Sequence, residues 1–388
     1  MTLLDALRAD AMRREAQHLR RHRRVQITRD GAFAQVDGQS LLNFASNDYL
    51  GFAQHPAVIA AFCKSVSQLG VGSAGSALVS GYFESHRLLE SQAAQLFGYQ
   101  AALYVGGGYL ANIGVLQTLL DANSICVQDK LNHACLIDGA LFSGATLQRF
   151  PHGDMGAAAQ RCAAAKTERL FLVSDGVFSM DGDIASLTEL STIAQQNKAT
   201  LLIDDAHGVG VLGDSGLGSL QASGLGADEV PILIVPAGKA LGGQGALILS
   251  SSDIINHLLE TARPYVFSTA PAPAMAAAIS ASLDLLQNEP EHHAALQTNI
   301  QQFVALAKQA GLPMLPSRTA IQPLMIGDNS CVLQLAERCR QQGFWLSAIR
   351  PPTVPAGKAR LRITLTALHT TEHIERLIGL LHNELSNA

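Results

Sequence analysis

Thr200-Leu-Leu-Ile-Asp-Asp-Ala-His207 and Ile232-Leu-Ile-Val-Pro-Ala-Gly-Lys239 are the two stretches whose reading decides the fold. Each begins with a short apolar run and ends on groups capable of chemistry: two carboxylates and a histidine in one, an amine among small residues in the other. Short apolar runs without polar alternation are strands buried on both faces. Working outward, strands at Ala101–Val105, Ser124–Val127 and Leu170–Ser174 alternate with helical patterns at His86–Phe97, Tyr109–Leu120, Ala157–Ala165 and Leu187–Asn197. That alternation predicts an α/β domain over residues 46–265, a mostly parallel sheet with helices on both faces.

The flanks read differently. Residues 1–45 predict a helix and then a short hairpin, since Phe33–Val36 and Leu41–Phe44 flank Asp37-Gly38, a hairpin dipeptide. The first helix carries seven arginines between Arg8 and Arg24 and reads as a solvated amphipathic helix packed by Leu3, Leu4 and Leu7. It lacks the apolar core and cleavage site of a secretory signal, and Asp5, Asp10 and Glu15 count against a mitochondrial presequence. Over residues 266–388, an Ala-rich helix (Ala270–Gln287) precedes a long one (Ala294–Ala310). Short strands (Ala320–Met325, Trp345–Ile349, Leu361–Leu365) and a closing helix (His373–Leu385) complete a smaller predicted α+β domain.

Composition narrows the function. Charged residues are 15% of the chain and the formal net charge is −5, the opposite of the basic footprint of a nucleic-acid binder. The six cysteines form no CxxC pair and fit neither a zinc site nor a disulfide framework, so no metal centre and a cytoplasmic location are expected. No stretch reaches 18 apolar residues, so no membrane span is expected.

Ligands of open α/β sheets bind at the carboxyl ends of the strands, and four groups fall there. Gly106-Gly107-Gly108-Tyr109 ends a strand and opens a helix, where free N–H groups and the helix dipole attract an anion; a plain tight turn is the alternative. Asp204 and Asp205 point to opposite faces of their strand, so only one can meet a given ligand. A buried carboxylate needs a cationic partner, which a protonated pyridine nitrogen would supply, while His207 could bond a ring hydroxyl; a metal site or a structural role is the rival reading. Lys239, among small residues just past a buried strand, can act as nucleophile and base if desolvated, the alternative being an exposed loop charge. His133 can stack on an aromatic ring or be a hydrogen-bonded, partly buried histidine. Two GxGxxG matches, Gly70–Gly75 and Gly208–Gly213, lack the strand-then-helix setting of a dinucleotide fold.

Together these residues resemble the fold-type I enzymes of pyridoxal 5′-phosphate (PLP), which are aspartate aminotransferase-like, and within them the α-oxoamine synthases. The likeness is carried by Asn43-Phe-Ala-Ser-Asn-Asp-Tyr-Leu-Gly51, Gly72-Ser-Ala-Gly-Ser76, Ser80-Gly-Tyr82, Val177-Phe-Ser-Met-Asp-Gly-Asp183, Asp204-Asp-Ala-His-Gly208 and Phe267-Ser-Thr269, and spans about residues 15 to 385. The runs Ala348–Gly357 and Ala359–Thr366 are similar to the branch that condenses L-alanine with a pimeloyl thioester. That reaction gives 8-amino-7-oxononanoate, carbon dioxide and the free carrier, acyl carrier protein or coenzyme A, in biotin biosynthesis. The alternatives are a sister synthase using glycine or serine with another acyl-CoA, and a PLP-binding paralogue without catalysis.

The resemblance implies a role for each matching residue. Lys239 would carry PLP as a Schiff base and act as general base. Asp204 would pair with the pyridine nitrogen, His207 and Ser179 would bond the ring hydroxyl, and His133 would stack on the ring. His133 or His207 would also assist decarboxylation. Gly108 and Tyr109 would hold the phosphate, and Thr269 would reach the phosphate in the neighbouring subunit of a homodimer with shared sites. Arg362, with Asn47, would bind the amino-acid carboxylate, and Arg20 and Thr353 would line the acyl-donor entrance. Two positions depart from the family pattern. Pro236 stands where Thr or Ser is usual, and Gly106 where Ser is common, so two phosphate contacts are lost and weaker cofactor retention is expected.

Overall fold

The computed structural model describes residues 1–386; the last two positions of the expected C-terminal domain lie outside them. The chain forms two units. One comprises Met1–Asn47, Met180–Asp183 and the chain from Ala295 onward; the other comprises Asp48–Ser179 and Ile184–Ala294. These units cut across the three stretches read from the sequence. The Ala-rich helix, Pro273–Asn288, falls in the larger unit because its buried face packs on helices Pro56–Leu69 and Glu84–Phe97.

The chain opens with helix Leu3–Ala16, capped by the reciprocal Thr2–Asp5 pair. The expectation that Leu3, Leu4 and Leu7 pack is corrected here: they are 76%, 63% and 56% exposed, and no residue of this helix is buried. Its support is local, from the cap and from Asp10 between Arg13 and Arg14. Three strands follow, β1 (Gln26–Asp30), β2 (Phe33–Val36) and β3 (Gln39–Asn43), with β2 and β3 joined antiparallel across Asp37-Gly38, both at positive φ.

The larger unit holds the main sheet, built from β4 (Ala101–Val105), β5 (Ile125–Asp129), β6 (Thr146–Phe150), β7 (Leu170–Asp175), β8 (Thr200–Asp204), β9 (Ile232–Pro236) and β10 (Ala246–Ser250). Their order is β4-β10-β9-β8-β7-β5-β6, and every pairing is parallel except those of β10, which runs antiparallel to both β4 and β9. Leu202, Ile232, Ile234, Val173 and Ile248 are at most 2% exposed, and helix Gly108–Leu119 buries Ala111, Val115 and Leu116 against them. Because β10 reverses direction, β4 and β9 are parallel to each other. The carboxyl ends of β4, β5, β7, β8 and β9 therefore share one edge.

In the smaller unit β11 (Ile321–Gly327) and β13 (Ser347–Ile349) flank β14 (Ala359–Thr364), while β12 (Phe344–Trp345) extends the N-terminal sheet beside β3. The single strand expected at Trp345–Ile349 is thus two, belonging to different sheets. Segment Met180–Asp183 is fixed within this unit: Arg360, 3% exposed, pairs with Asp181 at 2.6 Å, and Ser317 and Thr319 hydroxyls donate to the Gly182 carbonyl. Among the described residues no helix is long and apolar enough to cross a membrane.

Candidate active site

The shared edge of the strands opens on a cavity of about 400 Å³ lined by Gly106–Tyr109, His133, Cys135, Asp175, Ser179, Asp204, His207, Pro236 and Lys239. Seven of the residues expected to work together, Lys239, His207, Asp204, His133, Gly108, Tyr109 and Ser179, are thus brought to one place.

Asp204 ends β8 and is 4% exposed. Its Oδ2 accepts from Asn112 Nδ2 at 2.6 Å and its Oδ1 from the Ala206 N–H at 3.1 Å. Burial raises the pKa of this carboxyl, and the nearby Lys239 amine pulls it back down. Its neighbour Asp205 faces the other way, as strand alternation requires. Its oxygens accept from the Ser219 N–H and hydroxyl, each at 2.7 Å, so it anchors a loop, with burial holding its pKa up at about 6. A third carboxyl, Asp175 at the end of β7, accepts the His133 N–H at 2.7 Å; burial and the charge of Asp204 hold its pKa well above the ordinary range.

The two histidines are seated differently. His133 caps helix Ala134–Ser143, its Nδ1 accepting the Cys135 N–H at 3.3 Å and lying 2.9 Å from Cys135 Sγ; burial lowers its pKa. His207 lies between Tyr49 and Lys239, with Nδ1 2.5 Å from the Tyr49 hydroxyl and Nε2 3.0 Å from Lys239 Nζ. Lys239 therefore belongs to the cavity and is no stray loop charge. Its loop links β9 directly to β10 and is closed by the Ala237 N–H to Gly245 and the Gly243 N–H to Ala237, each 2.9 Å. Gly242, at φ +63°, leaves no room for a side chain: a Cβ there would stand 2.2 Å from the Ala53 nitrogen.

On the opposite side the glycine turn after β4 meets β9. A Cβ on Gly108 would stand 2.9 Å from Pro236 Cγ, so only glycine allows this approach and leaves the first N–H groups of helix Gly108–Leu119 facing the cavity. The Tyr109 side chain turns away and donates to Asp138 at 2.5 Å.

The other expected residues lie elsewhere. Arg362 and Asn47 are joined in the smaller unit, Arg362 Nη1 donating to Asn47 Oδ1 at 3.1 Å and to Thr364 Oγ1 at 3.2 Å. Arg20 lines a groove of that same unit with Arg24, Arg340 and Arg350, and Thr353 is bonded by Arg21. Thr269 is exposed and bridges to Ser76. Sequence reasoning missed Asn112, Asp175, Cys135 and Tyr49. For Asn112 a signal existed: one amide in the apolar helix Gly-Tyr-Leu-Ala-Asn-Ile-Gly-Val.

A second grouping of metal-ligand types, His55, Glu289 and His292, also lies in the larger unit. His55 Nδ1 accepts the Ala57 N–H at 3.3 Å, which in a neutral ring leaves the proton on Nε2, the nitrogen a metal would need. His55 serves as a helix cap, and Nε2 of His55 and of His292 lie 3.7 Å and 3.4 Å from the Glu289 carboxylate.

Residues 39–381 match the family model of class I and II aminotransferases. The chain is 46% identical to the 8-amino-7-oxononanoate synthase of Stenotrophomonas maltophilia, over 97% of this chain and 93% of that protein. It is 43% identical to the synthase of Saccharophagus degradans, covering 98% and 96%. Among solved structures, the serine palmitoyltransferase of S. paucimobilis with a bound PLP–myriocin aldimine superposes with a TM-score of 0.94 at 26% identity, covering 100% and 99%. The 8-amino-7-oxononanoate synthase of Francisella tularensis superposes with a TM-score of 0.78 at 27% identity, covering 89% and 98%.

Proposed function

This chain belongs to the 8-amino-7-oxononanoate synthase family, within the class I and II aminotransferases, and from that premise we propose that it joins L-alanine to the pimeloyl group of a thioester. The bond forms between the alanine α-carbon and the thioester carbonyl. The products are 8-amino-7-oxononanoate, carbon dioxide from the alanine carboxylate, and the free thiol of coenzyme A or acyl carrier protein. The solved serine palmitoyltransferase superposes better than the solved Francisella synthase, with TM-scores of 0.94 and 0.78 at 26% and 27% identity, so fold does not choose between them; the 46% identity to the Stenotrophomonas synthase favours alanine over serine.

The observation that carries this reading is the meeting of a buried carboxylate, Asp204, with the Lys239–His207 pair on one cavity. The residues fit PLP. Two carboxyls whose pKa burial raises, Asp204 and Asp175, line a site that a protonated pyridine nitrogen would relieve, and a glycine-lined helix start offers N–H groups to a phosphate. When bound, PLP supplies an electron sink for the pair left on the substrate α-carbon. The protein supplies placement and protons. Asp204 Oδ2 would hold the proton of the ring nitrogen, with Asn112 keeping that oxygen aimed. His207 Nε2 and Ser179 would meet the ring hydroxyl, and His133 would lie against the ring face. Lys239 Nζ would bond covalently to the cofactor aldehyde at rest and, once freed, accept the α-proton of alanine. Gly108 and Tyr109 would hold the phosphate by backbone N–H groups.

Arg362 and Asn47 would take the substrate carboxylate, supported by the burial of Arg362, 5% exposed, and by the orientation that Thr364 gives its guanidinium. Arg20 and Thr353 would line the acyl entrance. The working form would be a cytoplasmic homodimer in which Thr269 serves the partner's site; the 72% exposure of Phe267, two residues earlier, supports a covered face there. The test is to incubate purified protein with L-alanine and pimeloyl-CoA or pimeloyl carrier protein and detect the amino-ketone by mass. Product from glycine or serine but not from alanine would overturn the substrate assignment. Borohydride treatment and peptide mapping should label Lys239, and an unlabelled lysine would overturn the site.

A further inference from the structure

Asn112 lies on the buried face of helix Gly108–Leu119 and is 0% exposed. Its Nδ2 stands 2.6 Å from Asp204 Oδ2, 3.1 Å from the Gly108 carbonyl oxygen and 3.2 Å from Cys135 Sγ. A carbonyl oxygen can only accept, so the contact with Gly108 fixes which end of the amide faces this side: the nitrogen. An amide NH2 has no lone pair to offer a carboxyl proton, so Asp204 Oδ2 must be the acceptor. The other oxygen of Asp204 accepts the Ala206 N–H. Both oxygens thus receive bonds from groups that only donate, the pattern that favours the charged carboxylate.

The far end of the amide tells the same story. Asn112 Oδ1 is buried with no hydrogen-bond partner among the described residues. An unpaired buried acceptor weakens a fold, and a leucine of similar size would avoid it. What Asn112 contributes therefore lies in its two N–H bonds. We propose that Asn112 is a positioning residue that holds Asp204 as an anion facing the cavity and ties it to the glycine turn, so that the two ends of the cofactor site share one fixed link. This rests on the placement of the cofactor ring nitrogen against Asp204. The other neighbours of Asp204 explain why a fixed donor is needed. Asp175 on β7 pairs with it in register and adds a like charge, while Lys239 and His133 favour the anion. Cys135 Sγ, at 4.0 Å from Oδ2, is a weak donor. Lys239 is the group that the proposed function sends to other partners, whereas Asn112 is set in a helix and stays.

The test reads the proton on the cofactor ring. Holoenzyme reconstituted with PLP carrying nitrogen-15 in the ring should show a protonated ring nitrogen at neutral pH. Asn112→Leu, which fills the same space without a donor, should shift that signal toward the unprotonated form, because an Asp204 stripped of its donor draws the proton onto itself. Asn112→Ala, a second variant suited to a helix, should shift it the same way. In both, borohydride should still label Lys239, showing a folded and loaded chain. kcat should fall about tenfold or more, the factor carried by one hydrogen bond to a charged group, with the KM for L-alanine little changed. Ring-nitrogen signals in both variants identical to the parent would overturn the proposal, as would a rise in KM alone. An Asp204→Ala variant separates the two levels. If its ring signal matched the parent, the placement of the cofactor against Asp204 would fail, and the role of Asn112 with it. If it shifted while the Asn112 variants did not, only the role of Asn112 would fail.

Discussion

On the side of the cavity formed by the ends of β7 and β8, Asp204, Asp175, His133 and His207 are each held by a neighbouring protein group: Asn112 and Ala206, the His133 N–H, Cys135, and Tyr49. On the side formed by the turn after β4 and the end of β9, the lining includes Gly106, Gly107, Gly108, Tyr109 and Pro236, and the one hydroxyl among them, that of Tyr109, is bonded to Asp138. The first side is a preorganised polar network, its groups aimed before any ligand arrives. The second offers only backbone N–H groups and a helix dipole, an attraction of about 0.3–2 kcal/mol. The contrast teaches that orientation and retention are separable here. On the proposed reading, the polar side would set how the cofactor sits and the glycine–proline side how long it stays.

Four substitutions break or sharpen that contrast. Lys239→Ala should abolish turnover and eliminate borohydride labelling; any residual product formation above background, followed by mass, would count against the scheme. Asp204→Asn, on the preorganised side, should lower kcat by about 10²–10⁴-fold, the range for loss of a group that manages a proton in the transition state, while cofactor content by absorbance falls much less. Pro236→Thr, on the other side, should act in reverse. Restoring a hydroxyl and an N–H should tighten PLP by about 1.5–3 kcal/mol, the worth of a hydrogen bond to a charged group, with kcat little changed. Equal dissociation constants for parent and variant would show that the proline costs nothing. Cys135→Ala should have the smallest effect, below about 1 kcal/mol in kcat/KM, since a thiol is a weak donor and the Cys135 N–H still reaches His133.

The strands that carry the site were readable because a parallel strand buried on both faces must be continuously apolar and can turn polar only at its end. Asp204, His207 and Lys239 stand at such ends. β10 was not read. It follows β9 through a glycine loop with no helix between them, so the strand–helix alternation leaves no slot for it. The supporting residues were hidden for another reason. Asn112 meets Asp204 across 92 positions and Tyr49 meets His207 across 158, contacts that exist only once the sheet has formed. Helix Leu3–Ala16 shows the limit of pattern reading, since its leucines suggest a packed face that the fold of this chain does not cover.

The loop that carries Lys239 is pinned at its neck by two backbone bonds and wedged against Ala53 at Gly242. The lysine therefore works like a crane jib on a bolted mast. Only its four-methylene stem can swing, so the amine can leave one station and serve the next while the mast stays still. Any residue larger than glycine at 242 would loosen that bolt, and the hook would then miss its load even though every chemical group remained present.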